Sequence, residues 1–232
     1  MVALAALVPV VYLGVRAGEG GWATIVETIW AGRTFRLLGR SLGLAGAVTA
    51  ASAVIGVALA WLTVRCDLPG RRAWRVIAAL PLAVPSYVAG FAYADTFPDL
   101  TGFWAAWLVL TTLSYPYVLL PVVAALDGLD PSLEEAARSL GDGPVAAFGR
   151  VTLRQLRPAI ATGSLLVALY VLSDFGAVAA LRFDTFTRVI YLAYQASFDR
   201  TPAVILSCLL LVFTLAVVTA EARTRGRARY FR

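Results

Sequence analysis

Histidine and lysine are absent, methionine occurs only at position 1, and the two cysteines, Cys66 and Cys208, lie far apart. With no imidazole and two isolated thiols, one chain cannot assemble a nitrogen and sulfur metal cage or a disulfide framework. Charge is scarce as well. Acidic and basic residues make up 15% of the 232 positions against 60% hydrophobic, and the mean hydropathy is +0.78. That balance excludes an ordinary soluble domain and places the chain in a bilayer. The net charge of +6 comes entirely from arginines that sit between apolar runs and at the C-terminus. Topology signals lie in such places, so no nucleic-acid partner is expected.

A helix needs about 20 apolar residues to cross a hydrocarbon core of about 30 Å, because lipid offers no partner for an open backbone. The apolar runs predict six spans, at 2–15, 42–64, 74–97, 103–126, 159–181 and 203–220. The first is short. It lacks a basic leader and a small-residue cleavage site, so it reads as a span and not as a removed signal. Arginines gather in the 65–75 loop, in the segment 130–158 and in the tail, which puts these three on the cytoplasmic side. Arg33, Arg36 and Arg40 fall on the other side. There Trp22, Ile25, Ile29 and Trp30 share one helical face, as in a helix lying in the membrane interface. Trp61, Trp74, Trp104 and Trp107 stand where interfacial anchors do.

Pro81 and Pro85 in the third span, and Pro116 and Pro121 in the fourth, each remove a backbone donor. Those spans either kink for packing or face protein or a pathway that satisfies the freed carbonyls. Gly39, Gly43, Gly46, Ser52 and Gly56 give the second span a small-residue face for close packing.

The segment DPSLEEAARSLGDGPVAAFGRVTLRQLRP, residues 130–158, breaks the apolar pattern. Asp130 suits an N-cap with Pro131 at the first helical position, and Gly141 supplies the left-handed residue that ends a short helix. A second helix is expected from Gly143 and Pro144 to Pro158, which would open the next span. Leu133, Ala136, Ala137 and Leu140 give the first helix an apolar side, and Arg150, Arg154 and Arg157 form a basic stripe on the second. Together they make a helix-turn-helix on the cytoplasmic surface, shaped as a plug for a partner's groove.

Glu135-Ala136-Ala137, three residues, Gly141, nine residues, then Val151-Thr152-Leu153 resembles the EAA loop of bacterial ATP-binding cassette importer permeases. The family pattern is Glu-Ala-Ala, x3, Gly, x9, Ile-x-Leu-Pro. Val151 stands for its Ile and Arg154 for its Pro, with Pro158 available four residues on. The stretches 80–93, 114–141 and 173–194 are similar to the ferric-iron branch, and permeases for thiamine, phosphonates and polyamines share their texture. The resemblance implies an all-α polytopic fold of the type I importer class, one transmembrane domain over 1–232, with 130–158 as its cytoplasmic coupling segment. It also implies a subunit of the bacterial inner membrane, with its C-terminus cytoplasmic, that hydrolyses nothing. No cofactor is expected in this chain, since ATP and Mg belong to a cytoplasmic ATPase dimer whose groove takes the loop. A second permease half, identical or homologous, a periplasmic binding protein and membrane lipid are the other partners expected. On this resemblance Glu135, Ala136, Ala137, Leu140, Gly141, Val151 and Leu153 form the ATPase-coupling set. For Glu135 the plain alternative is the favourable field at a helix N-terminus.

Asp174 falls inside the fifth span, where a carboxylate either faces a pathway or bonds to a neighbouring helix. Asp95, Asp99 and Asp184 lie toward the outer surface, as oxygen ligands for a hard cation or as solvated groups that touch a binding protein. No paired carboxylates in one span and no nucleophile with its base support a membrane-embedded enzyme. A scaffold without transport activity would not need the EAA spacing.

Overall fold

The computed structural model describes residues 2–130, 132–196 and 200–225. Pro131 and the tail arginines Arg227, Arg229 and Arg232, on which sequence expectations rest, lie outside them. Regular structure among the described residues is helical throughout. In chain order come α1 (Val2–Glu19), α2 (Gly21–Trp30), α3 (Gly32–Arg65), α4 (Arg71–Ala79), a 3-10 turn (Leu80–Ala83), α5 (Ser86–Thr96), α6 (Phe103–Ser114) and α7 (Pro116–Asp127). The remainder is α8 (Ser132–Ser139), α9 (Pro144–Ala147), a π-helical turn (Phe148–Thr152), α10 (Leu153–Ser173), α11 (Gly176–Ala180), α12 (Phe186–Ala196) and α13 (Thr201–Arg225).

Among the described residues, four helical stretches are long and apolar enough to cross a bilayer: Gly32–Arg65, Phe103–Asp127, Pro144–Ser173 and Thr201–Glu221. The pair Arg71–Ala83 and Ser86–Thr96 is apolar enough to make a fifth if taken as one broken span, but it is bent by 88°. The run at 2–15 is helical and continues to Glu19.

Three of the six expected segments therefore differ in form. The third is not a straight span, because Pro85 holds Val84 in an extended conformation (φ −94°, ψ 116°) and no α-helix can pass that residue. The second is not separate from its arginine-bearing approach. Arg33, Arg36 and Arg40 occupy the first turns of α3, whose 34 residues run about 51 Å, well beyond a hydrocarbon core. The fifth starts at Pro144 and ends at Ser173, so it begins and stops earlier than expected. Pro158 opens nothing: it sits inside α10, and the irregularity lies upstream in the π-helical turn.

The core is built by α3, α6, α7 and α10. Leu44 and Val48 of α3 meet Val109 and Leu110 of α6, Val118, Leu119 and Val122 of α7, and Leu156 and Val167 of α10. Glycines let the backbones approach. A Cβ on Gly56 would stand 2.9 Å from the Leu119 nitrogen, and one on Gly163 only 2.6 Å from the Val118 Cα, so α3 and α10 both close on the start of α7. The small-residue face expected on the second span divides here. Ser52, whose hydroxyl lies 3.3 Å from that of Ser114, and Gly56 pack inside the chain, whereas Gly39, Gly43 and Gly46 have nothing within 4 Å of a Cβ position.

Candidate functional site

At one end of α10 the segment 132–152 folds as two short helices joined by a tight turn. Asp130 Oδ1 accepts the Ser132 N–H at 2.9 Å, which caps α8 and holds the Asp130 carboxyl below its usual range. The other terminus closes as a Schellman motif. The Gly141 N–H donates to the Arg138 carbonyl at 3.1 Å and the Asp142 N–H to that of Ala137 at 3.2 Å, with Gly141 at φ +98°. Across the turn, Arg150 donates to Asp142 at 2.6 Å. Both signals that the sequence offered for this helix, the aspartate cap and the glycine stop, are thus present as bonds.

The two neighbouring glutamates of α8 point to different places. Glu134 is turned inward, its side chain 14% exposed, where it accepts the Thr152 hydroxyl at 2.8 Å and faces Arg65 Nε, at the end of α3, across 3.8 Å. Glu135 is exposed, as are Ala136 and Leu140, with Leu140 89% accessible. Ala137 is half-buried. Of the second group, Val151 is half-buried and Leu153 is exposed, while Thr152 between them is buried against Glu134. One glutamate therefore seats the helix and the other is left to solvent. The sequence reading missed Arg65, Glu134 and Thr152, because nothing local links position 65 to position 134. Trp61 adds to this seat by stacking on Phe148 at 5.5 Å, and Arg75 makes a two-pronged pair with Asp127, both contacts at 3.1 Å, which ties α4 to the end of α7.

At the opposite end of α10, about 32 Å away along its 21 residues, lie the acidic candidates. Asp174 is not within a span but in the break after Ser173. Its carboxylate accepts the N–H groups of Ala177 at 3.1 Å and Val178 at 3.3 Å and so starts α11. Its carbonyl accepts the Thr187 hydroxyl at 2.6 Å, and the Phe186 N–H donates to Ser41 Oγ of α3 at 3.1 Å. Asp184 is held by Arg188 and, at 3.6 Å, by Arg40. Asp95, on α5, and Asp99, beyond its end, are exposed. The four do not come together, and no cluster of three acidic, cysteine or histidine residues that could hold a metal ion occurs among the described residues.

The family model described as binding-protein-dependent transport system inner membrane component matches residues 52–224. The Fe(3+)-transport system permease protein FbpB 2 of Haemophilus influenzae is 35% identical over 227 residues, covering 98% of this chain and 45% of that protein. The chain thus spans less than half the length of that relative. The sulfate transport system permease protein CysT of Escherichia coli is 30% identical over 193 residues, 76% of this chain and 69% of CysT. Among solved structures, the inward-facing MetNI methionine ABC transporter superposes with a TM-score of 0.71 at 18% identity, over 84% of this chain and 96% of that one. This last likeness is one of fold.

Proposed function

The chain belongs to the family of binding-protein-dependent transport system inner membrane components, and from that premise we propose that it forms half of the translocation pathway of an ATP-driven importer. The observation that carries the proposal is the division of labour in α8. Glu134 anchors the helix while Glu135, Ala136 and Leu140 stay uncovered, so a pre-shaped, partly apolar knob stands ready for a groove. Its partner is a cytoplasmic ATPase dimer, which carries the ATP and Mg. A second permease half completes the pathway, and a periplasmic binding protein delivers the substrate. The subunit sits in the bacterial inner membrane with 130–152 and the C-terminus cytoplasmic and with the 174–186 break outward. Ferric iron is the substrate favoured by the 35% identity to the iron permease, against sulfate at 30% for CysT.

Coupling through Glu135 is tested by Glu135→Arg. Because this side chain is exposed and bears no packing, the variant should purify as well as the parent and no longer retain the ATPase. Normal ATPase retention together with normal uptake would remove α8 as the docking element.

A further inference from the structure

The geometry points to an anion-binding subsite at the outer end of α5 and α11, centred on Arg182, which takes a small water-soluble anion or an anionic metal complex in place of a bare cation. This rests on the reading of the chain as a permease half and names the charge of what passes.

The surroundings of the break argue for it in three steps. First, the carboxylates that a cation would need here are occupied. Asp174 is bound by two backbone N–H groups, and Asp184 lies between Arg40 and Arg188, a trio that leaves one positive charge over. Second, a cavity of about 780 Å³ opens beside them, with Tyr87 and Phe91 of α5 on one wall and Phe175 and Ala179 on the other. Arg182 is the single charged residue in its lining, is exposed, and has no ion pair among the described residues. Third, the backbone aims it. Arg182 has φ +57° and is the one residue other than glycine in the left-handed region among those described. L-residues adopt that region at a cost of about 1–2 kcal/mol, and the packing around Arg182 holds it there. The Leu181 carbonyl accepts the Gly102 N–H at 2.8 Å, and the Phe183 N–H returns to the Val178 carbonyl at 2.9 Å, so the residues on both sides are fixed.

A guanidinium in such a place presents several donors in a planar fork to a planar or tetrahedral oxyanion. Asp95 stands one helical turn beyond Phe91, outside the cavity lining, so no carboxylate offsets Arg182 within it.

The test reads the local field and needs no knowledge of the substrate. In the full chain with Cys66→Ser and Cys208→Ser, Ala179→Cys places a thiol on the cavity wall. Its reaction with an anionic sulfonatoethyl methanethiosulfonate is compared with that of a cationic trimethylammonioethyl analogue, each relative to a free thiol. The anionic reagent should be favoured about tenfold, the low end for a cleft lined by one sign of charge, and Arg182→Gln should abolish the preference. A faster cationic reagent, an unreactive thiol, or a ratio unchanged by Arg182→Gln would each overturn the proposal. Measurements in a phosphate-free detergent and in phospholipid vesicles separate two sources of anion. Selectivity that vanishes in vesicles would assign Arg182 to a lipid phosphate and overturn the substrate reading. In the assembled importer, Arg182→Gln should lower uptake about tenfold with the ATPase still bound. Failure of the parent chain to bind an ATPase would sink the functional reading, while the reagent ratio on the chain alone would still decide the charge of the subsite.

Discussion

The two ends of α10 obtain their shape from different distances along the chain. At the inner end, the one proposed to face the cytoplasm, α8 is capped by a residue two positions from its partner and stopped by a turn closed over three and five residues; distant residues only seat it, Arg65 on Glu134 and Trp61 on Phe148, and its knob faces solvent. At the other end a local cap from Asp174 to Ala177 and Val178 is joined by fixing contacts that reach far. Ser41 holds Phe186 across 145 positions, Arg40 meets Asp184, and α11 lies backbone to backbone on α5. Local bonds suit an element that must keep its form while exposed, as the docking knob proposed for α8 must. Long-range bonds suit a break in a span, whose unpaired backbone groups find partners only in other helices.

The sharpest way to break the comparison is to remove the outer end's cap. Asp174→Leu leaves the N–H groups of Ala177 and Val178 without an acceptor in a buried site, at about 1–3 kcal/mol for each. Asp174→Asn keeps an acceptor oxygen and should fall within about 1 kcal/mol of the parent. Thermal unfolding in detergent should rank Leu far below Asn. Equal melting of the two would mean that the carboxylate does not start α11.

Packing gives the next contrast. A Cβ at Gly176 would stand 2.6 Å from the Tyr87 Cβ and 2.9 Å from its backbone nitrogen, whereas one at Gly149 of the inner segment meets nothing within 4 Å. Gly176→Ala should therefore cost about 1–3 kcal/mol as α5 and α11 are forced apart. Gly149→Ala should be neutral or gain up to about 1 kcal/mol, as alanine does over glycine in a helix. Comparable losses at both positions would show that the inner segment is packed as tightly as the outer break.

A smaller effect separates the two glutamates of α8. Glu134→Gln keeps an oxygen for the Thr152 hydroxyl and loses the charge that faces Arg65, at about 1 kcal/mol for a pair this far from full burial. Exchange of the α8 amides should quicken while the spans keep their protection. Glu135→Gln should leave exchange unchanged, since that side chain is exposed. If both variants loosen α8 alike, Glu134 is not its anchor.

What was legible in the sequence follows the same division. Asp130, Gly141 and the spacing from Glu135 to Leu153 are short-range signals, and the capped helix and its stop stand where they pointed. Four of the six apolar runs coincide with helices long and apolar enough to cross, for a similar reason, since a span satisfies its own backbone. What could not be read were decisions made by distant partners. Asp174 looked like an intramembrane charge because its role as an acceptor depends on α10 ending at Ser173. Pro158 looked like a break, yet α10 runs through it. Glu134 carried no mark to distinguish it from Glu135, because its partner Arg65 is on another helix. Arg182 is set in place by a left-handed backbone that only its neighbours' hydrogen bonds enforce.

The smallest expected effect concerns pH at the inner end. The Ser132 N–H, followed by the Ser132 hydroxyl, holds the Asp130 carboxyl below its ordinary value of about 3.9. A carboxyl whose pKa is lower in the folded state contributes stability above its unfolded value and loses it as pH falls through the folded one. The cap should thus be whole at neutral pH, begin to weaken only below about pH 4 and be gone once pH has passed the depressed value. Asp130→Asn offers an uncharged acceptor at the same place and belongs to the same group of preferred caps, so its α8 should show no acid limb. Amide protection at Ser132, followed from pH 7 down to pH 3 in detergent, reads this directly. A matching acid loss in the Asn variant would place the titration elsewhere, and a cap that weakens well above pH 4 would contradict the lowered value. Either outcome would also blur the contrast between the ends, because the inner end would then depend on a group beyond its own two residues.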